Sequence, residues 1–546
     1  MKNGITKASL FLLFLFTTDI SFAQGDATSG NSIFSIALIA IAILLVLVVI
    51  VVVGDNLLAL EAKRTGVSEK GGNVSIFPKW AEIMRPKMPA HIDPDNVTVL
   101  KQGHDILLLG EAAPDVIETA SVTRFAIQPK NFRGLAPIPK MLVEEGVSVK
   151  AGDPLFFDKS NPDVVFGAPV SGEVISIHRG EKRAIDEVII LADKEIQYRD
   201  LGKIDLEKTS REDLVKHLIG SGAWNLFRQR PFDLVANPAD VPNNIFISTF
   251  DTAPLAPDLN LVVAGNEAAF QAGINTLAKL TSGKVHIGLD GRRELAPSTA
   301  FTQAANAEVH WFHGKHPAGN VGIQIHHIDP ITPSSKVWTL GVQEVISLGT
   351  LISEGKYDCS RMIALGGSEV IRPRYVRTYA GANIKELLQG EIAPGNVRII
   401  SGDVLSGSQK SEDQFLNFYD DQVTVIKEGD YYELFGWLLP LSPRPSVSNT
   451  FPNFLYPSLK FEADTNTHGE KRAFVMTGQY EKVLPMDIYP QHLMKSIIVN
   501  DFERMEGLGL LELVEEDVAL CEFVCTSKQP LQKILREGLD YMQEQA

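Results

Sequence analysis

The stretch Trp224-Asn225-Leu226-Phe227-Arg228-Gln229-Arg230-Pro231-Phe232 interleaves three aromatics with two arginines. That combination offers flat apolar walls and cationic donors. It suits a planar ligand whose oxygens gain negative charge on reduction, because a cation beside them stabilises the reduced form. Composition alone favours a plainer outcome, in which the aromatics pack a domain seam and Arg228 and Arg230 pair with acids. Lys130-Asn131-Phe132-Arg133-Gly134 is a second, weaker stretch of the same type.

Other residues argue mainly by what they lack. His310, His313, His316, His326 and His327 fall close together in sequence. A metal site needs them to converge on one point. Read as a strand, Ile323 to Ile328 puts His326 and His327 on opposite faces, so no metal site is expected. His316-Pro317-Ala318-Gly319-Asn320-Val321-Gly322 is a Gly-bearing loop that either cradles an anion or makes a tight connection. Cys521 and Cys525 stand at a Cys-x3-Cys spacing, and Cys359 is distant. A [4Fe–4S] cluster needs four thiolates, so none is expected. Neither Ala264-Gly265-Asn266-Glu267 nor Leu365-Gly366-Gly367-Ser368-Glu369 has the Gly-x-Gly-x-x-Gly turn of a dinucleotide site. Lys159 lies near a hairpin tip without Met neighbours, which argues against covalent biotin or lipoate. Spacing alone locates no acid–base pair and no nucleophile–His arrangement.

These residues must be held by several kinds of element. Short alternating strands with Gly turns between Pro139 and Gly180 predict a small β-barrel. Ser210 caps a helix with Asp213 three residues on, and Leu214, Val215, Leu218 and Ile219 form its apolar stripe. Strands are expected at Leu259 to Ala264, Lys284 to Leu289, Glu308 to Phe312 and Met362 to Leu365. Helices are expected at Glu267 to Leu280 and Val342 to Ser353. The alternation predicts an α/β layer with a mainly parallel sheet. Residues 375–440 change to short β runs, Gly turns and one short helix at Ile384 to Leu388. Leu531, Ile534, Leu535, Leu539 and Met542 predict an amphipathic terminal helix.

The chain has 546 residues, a formal charge of −16 and three cysteines. Its acidity excludes a general phosphate-backbone binder. Three cysteines are too few for a disulfide framework. The amino end has a different character. Residues 1–23 read as a signal peptide, with Lys2 and Lys7, an apolar run, and Ser21-Phe22-Ala23 as cleavage site. An uncleaved two-helix hairpin is the alternative. Ile33 to Val53 is free of charge and long enough for one transmembrane helix. Lys63, Arg64, Lys70, Lys79, Arg85 and Lys87 follow it, which puts the bulk of the chain on the cytoplasmic side. Residues 54–96 read as a linker.

Five stretches, in this order, carry a family resemblance: Lys159-Ser160-Asn161-Pro162, His316-Pro317-Ala318-Gly319, Ile399-Ile400-Ser401-Gly402-Asp403-Val404-Leu405-Ser406-Gly407, Glu433-Leu434-Phe435-Gly436-Trp437 and Glu515-Glu516-Asp517-Val518-Ala519-Leu520-Cys521. From about Val97 onward the chain resembles the A subunit of the Na+-translocating NADH:quinone oxidoreductase (Na+-NQR). The amino-terminal extension departs from that family's pattern. The resemblance implies an α/β multidomain chain: a barrel-sandwich hybrid at 97–200, similar to biotinyl and lipoyl domains, a Rossmann-like α/β domain at 201–370, a β-grasp domain at 371–460 and a C-terminal helical domain at 461–546. It implies a quinone-side component with no tightly bound cofactor of its own. The complex would oxidise NADH, reduce ubiquinone or menaquinone and export Na+ at the bacterial inner membrane. FMN, FAD, riboflavin and Fe–S would reside in partner subunits, and the membrane-embedded B subunit would be the main partner. Trp224, Phe227, Arg228, Arg230 and Phe232, with Phe132, become quinone-proximal candidates on this basis. Two alternatives stay open: a flavin- and NADH-binding component of an Rnf- or complex-I-like dehydrogenase, and a purely structural docking component.

Overall fold

The computed structural model describes residues 37–50, 53–54 and 88–545, except 94–95, 136–137, 437–442 and 449–450. The chain divides into two units, Met1–Lys87 and Met88–Ala546. In the first unit, residues 37–50 are helical and every one is exposed. The expected signal peptide, and most of the expected linker, lie outside the described residues. The expected span at 33–53 is described only in part. Among the described residues no helix is long and apolar enough to cross a membrane.

In the second unit, two small sheets are built from strands between Arg124 and Ala192. One runs Arg124–Ile127, Ile185–Ala192, Gly172–Arg179, Ser148–Val149; the other runs Lys140–Met141, Pro154–Phe157, Val165–Gly167. In the second sheet Phe156 and Phe166 are cross-strand partners whose rings stack with centroids 4.9 Å apart, and Phe132 lies against Phe166. This is the expected barrel-sandwich architecture. Lys159 is exposed in the turn after Pro154–Phe157.

A seven-stranded sheet forms the centre. We label its strands and the helices used below β1 (Val97–Val99), α1 (Arg211–Gly220), β2 (Arg228–Arg230), β3 (Leu234–Val235), β4 (Asn244–Ser248), α2 (Glu267–Leu280), β5 (Val285–Asp290), β6 (Glu308–His313), α3 (Val321–Ile328), β7 (Val337–Thr339), α4 (Val342–Glu354), α5 (Glu515–Phe523) and α6 (Leu531–Gln545). The strand order is β1-β6-β5-β4-β7-β2-β3. The first five strands are parallel, and β2 and β3 add an antiparallel edge. Alternation along β4 explains its two covered faces. Ile245 and Ile247 face a core shared with Phe270 and Ile274 of α2 and Val345 and Leu348 of α4. Phe246 faces a second core with Ile323 and Ile325 of α3 and the C-terminal helices. The α2–α4 crossing is close because glycines line it: a Cβ on Gly349 would stand 1.7 Å from the Ala269 carbonyl oxygen.

Three expectations about elements are corrected. Leu259–Val263 is a short helix capped by Asp258, whose side chain accepts from the Asn260 N–H. The strand lies at β4 instead, with Ile245 in register with Val285. A short run of Leu and Val has too few residues for its periodicity to separate helix from strand. His326 and His327 sit on helix α3 and not on a strand. The expected strand at Met362 to Leu365, seen as Ser360–Gly366, joins a different sheet. That six-stranded sheet runs Ser408–Lys410, Val397–Ser401, Gln422–Lys427, Ser360–Gly366, Arg374–Tyr379, Ala113–Thr119. A segment from before the barrel therefore closes its edge, as β1 closes the edge of the central sheet.

Candidate functional site

In an open parallel sheet, ligands favour the crevice beyond the carboxyl ends of the strands. A small pocket of about 40 Å³ lies there. Asp251 follows β4 and His316 follows β6. Asn320 precedes the first residue of α3. Asp403 and Ser406 come from the loop after Val397–Ser401. Glu516 comes from the first turn of α5. Three of the five stretches that carry the family resemblance thus meet at one place, those containing His316, Asp403 and Glu516.

His316 is the best-positioned group. Its backbone N–H donates to Asp105 Oδ1 at 2.9 Å, and its Nδ1 lies 3.1 Å from Thr252 Oγ1. Its Nε2 is buried without a hydrogen-bond partner. Burial pulls the imidazole down to about 4, against the opposing pull of Asp403 and Asp105. It is therefore neutral near pH 7. Asp403 is held by its own loop, accepting from the Leu405 N–H at 2.6 Å and the Ser406 N–H at 3.1 Å. Crowding by protein and the neighbouring Asp403 push Asp251 upward. Asp251 also keeps solvent access, which damps that rise. The lining is polar and acidic. It repels phosphate and suits a hydrogen-bonding or cationic group.

Beside the pocket runs a buried charge network. Arg230 donates to Glu516 Oε1 at 2.9 Å and Asp517 Oδ2 at 3.2 Å. Arg133 reaches Asp233 at 2.9 Å and Glu515 at 2.7 Å. Arg536 of α6 reaches Glu515 at 2.7 Å and the Phe232 carbonyl at 3.0 Å. Arg228 stands 3.5 Å from Asp233 and lies over the Tyr419 ring, 5.1 Å from its centroid. Burial raises the Glu516 and Asp517 carboxyls, opposed by Arg230, and the Asp517 charge adds to the rise at Glu516. The network joins the barrel side, the central sheet and the C-terminal helices.

The six sequence candidates divide accordingly. Trp224, Phe227 and Phe132 are core residues. Trp224 packs on Phe227 and Trp338, and its Nε1 donates to the Ala236 carbonyl at 2.6 Å. Phe132 packs against Phe166, Phe418 and Tyr419. Arg230 is 1% exposed. Only Arg228 and Phe232 keep surface that a ligand can reach. Cys521 and Cys525 are buried next to Tyr480, whose hydroxyl lies 2.8 Å from Cys525 Sγ. Cys359 belongs to the other core. Burial raises the Cys359 thiol to about 12 and Cys521 higher still, so both stay protonated. Of the clustered histidines, the structure gathers only His310 into a possible ligand set among the described residues, with His286 and Glu308. Residue spacing could not reveal this group, because a parallel strand pairing assembles it.

Three parts of the chain match family models. Residues 98–193 match the model of the NqrA N-terminal barrel-sandwich hybrid domain. Residues 209–357 match the NqrA second alpha/beta domain, and residues 362–412 the NQRA C-terminal domain. The A subunit of the Na(+)-translocating NADH-quinone reductase of Yersinia pestis bv. Antiqua (strain Angola) is 38% identical over 451 residues, covering 82% of this chain and 99% of that relative. The protein of the same name from Neisseria meningitidis serogroup B is 37% identical over 449 residues, with the same coverages. Among solved structures, an NAD+-reducing [NiFe]-hydrogenase in the air-oxidized state aligns with a TM-score of 0.30 at 12% identity, over 63% of this chain and 66% of that one. A likeness so low bears no weight.

Proposed function

Because this chain belongs to the NqrA family, the A subunits of the Na(+)-translocating NADH-quinone reductase, we propose that it fills that place in a complex that oxidises NADH, reduces quinone and moves Na+. The observation that carries this reading is the convergence at the pocket. Stretches far apart in sequence, each part of the resemblance, close around His316 together. The whole family architecture supports the assignment, beyond any one shared domain.

Within that reading the chain works on the quinone side and holds no redox centre of its own. Quinone approaches at Arg228 and Phe232, the two candidates with reachable surface. Trp224, Phe227, Phe132 and Arg230 hold that surface in place from the core. FMN, FAD, riboflavin and Fe–S centres belong to partner subunits. Tyr432, Leu434, Phe435, Leu455 and Tyr456 are large, exposed apolar residues in one region of the chain. Such a group is unusual on a surface facing water, and it favours docking against an apolar partner, which we assign to the membrane-embedded B subunit. The seven-stranded layer serves as a Rossmann-like domain and the six-stranded one as a β-grasp domain. The charge-free run 33–53 acts as an inner-membrane anchor, with the bulk of the chain cytoplasmic. Its length, its lack of charge and the exposure of all the described helical residues 37–50 support that role.

Affinity purification of the full chain from host membranes tests the assignment. The expected result is co-purification of flavin-bearing membrane subunits together with NADH:quinone reductase activity. Recovery of the chain alone, from membranes that hold such activity, would overturn it.

A further inference from the structure

The amino ends of the central strands, opposite the pocket, carry a second cluster. The parallel pairing of β5 with β6 sets His286 in register with Glu308. Glu308 and His310 are two residues apart on one strand, so they share a face. His286 Nδ1 lies 2.9 Å from His310 Nε2 and 3.8 Å from Glu308 Oε2. The three ligand atoms all fall within 4.8 Å of one another.

We propose that His286, Glu308 and His310 bind a divalent transition-metal ion of the Zn2+ class. Two imidazole nitrogens and one carboxylate oxygen form a donor set suited to Zn2+, with one position left for water. Two ligand atoms, each about 2.0–2.1 Å from a tetrahedral ion, stand roughly 3.3 Å apart. The observed 2.9 and 3.8 Å separations bracket that value, so small side-chain rotations suffice.

The surroundings hold the ligands ready. Phe246 of β4 stacks on the His286 ring, with centroids 4.7 Å apart and planes 24° from parallel. Lys284 pairs with Glu308 Oε1, which leaves Oε2 facing His286. The lysine also repels an incoming cation, and the nearby charge of Asp329 opposes that effect at His286. Burial pulls His286 down to about 4 and lowers His310 as well, so both imidazoles are neutral at pH 7, and the ring that donates the shared hydrogen bond can shift its proton to its other nitrogen when an ion binds. The three cysteines are buried and do not compete for the ion. Without metal, the two histidines share a hydrogen bond. An ion replaces that bond and ties β5 to β6.

The test uses the full chain, purified without a histidine tag, stripped with chelator and titrated with ZnCl2 by calorimetry. One Zn2+ per chain is expected, with a rise in Tm. Co2+ in its place should give the visible absorption of a four-coordinate site. Glu308 is exposed and His310 half-buried, so Glu308→Gln and His310→Ala should fold, as judged by circular dichroism. Each should weaken Zn2+ binding about tenfold or more. Absence of saturable Zn2+ binding would overturn the proposal. So would stoichiometric binding that neither substitution changes, because the ion would then sit elsewhere. The proposal does not depend on the assignment to a respiratory complex.

Discussion

Arg230 holds two carboxylates of α5 from a position almost without water. Removing it leaves Glu516 and Asp517 crowded and uncompensated. Arg230→Leu should therefore destabilise the fold by about 3–5 kcal/mol, read as a lowered Tm in thermal denaturation. Arg228 is different. Its side chain is 28% exposed and its pairing with Asp233 is long, at 3.5 Å. Arg228→Leu should cost about 1 kcal/mol or less. That contrast makes Arg228 the informative arginine for quinone. If it lies near the quinone head, Arg228→Leu slows quinone reduction with Tm nearly unchanged, whereas wild-type quinone kinetics would mark it as structural. His316 gives a pH signature. Its folded value of about 4 is below the ordinary value of 6.5. Between those values the unfolded chain binds a proton that the folded chain refuses. Its contribution is thus full above about pH 6.5 and is lost as pH falls through about 4. Asp403, Asp105 and Arg292 act on the same ring. The difference in Tm between wild type and His316→Asn, measured from pH 4 to 7, isolates its share and should shrink toward acid. At this scale the sequence was partly readable. The aromatic–arginine interleaving was visible, but the acids that pair with Arg230 lie 286 and 287 residues away. No local pattern could announce them. The His286–His310 contact was hidden for the same reason, since strand pairing across 24 residues creates it.

At the scale of elements, local signals worked wherever caps and periodicity agreed. Ser210 accepts from the Asp213 N–H and opens α1, as its spacing predicted. Asn383 caps Ile384–Leu388 by accepting from the Glu386 N–H. On α6, Leu531, Ile534, Leu535, Leu539 and Met542 are all buried, which is the predicted stripe. Short apolar runs misled instead. Leu259–Val263 and α3 both carry patterns that fit either period, and contacts with the rest of the fold decided the outcome. The edge strands Val97–Val99 and Ala113–Thr119 could not be assigned to their sheets, because their partners come from much later in the chain. The α2–α4 crossing yields a prediction of its own. At Gly349 an added Cβ meets the Ala269 backbone at 1.7 Å, which no side-chain rotation can relieve. Gly349→Ala should destabilise the fold by about 1–3 kcal/mol by forcing the helices apart. A lowered denaturation midpoint measures this, and an unchanged one would mean that the helices separate freely.

For the whole molecule, the family was legible because the resemblance rests on stretches spread from the barrel to α5. Family models match at 98–193, 209–357 and 362–412. The amino-terminal 97 residues fall outside these matches. If Ser21-Phe22-Ala23 is cleaved, intact mass of the membrane-bound protein will show Gln24 as the first residue, whereas Met1 would favour the hairpin. We propose that this chain supports the quinone step of a Na+-dependent NADH dehydrogenase, with the flavin chemistry in other subunits. Membranes from a strain lacking this chain test it most directly, with NADH oxidation measured against both quinone and an artificial flavin-level acceptor. Loss of Na+-stimulated quinone reduction is expected, restored by the wild-type chain, with artificial-acceptor activity persisting. Undiminished Na+-stimulated quinone reduction in its absence would contradict the account.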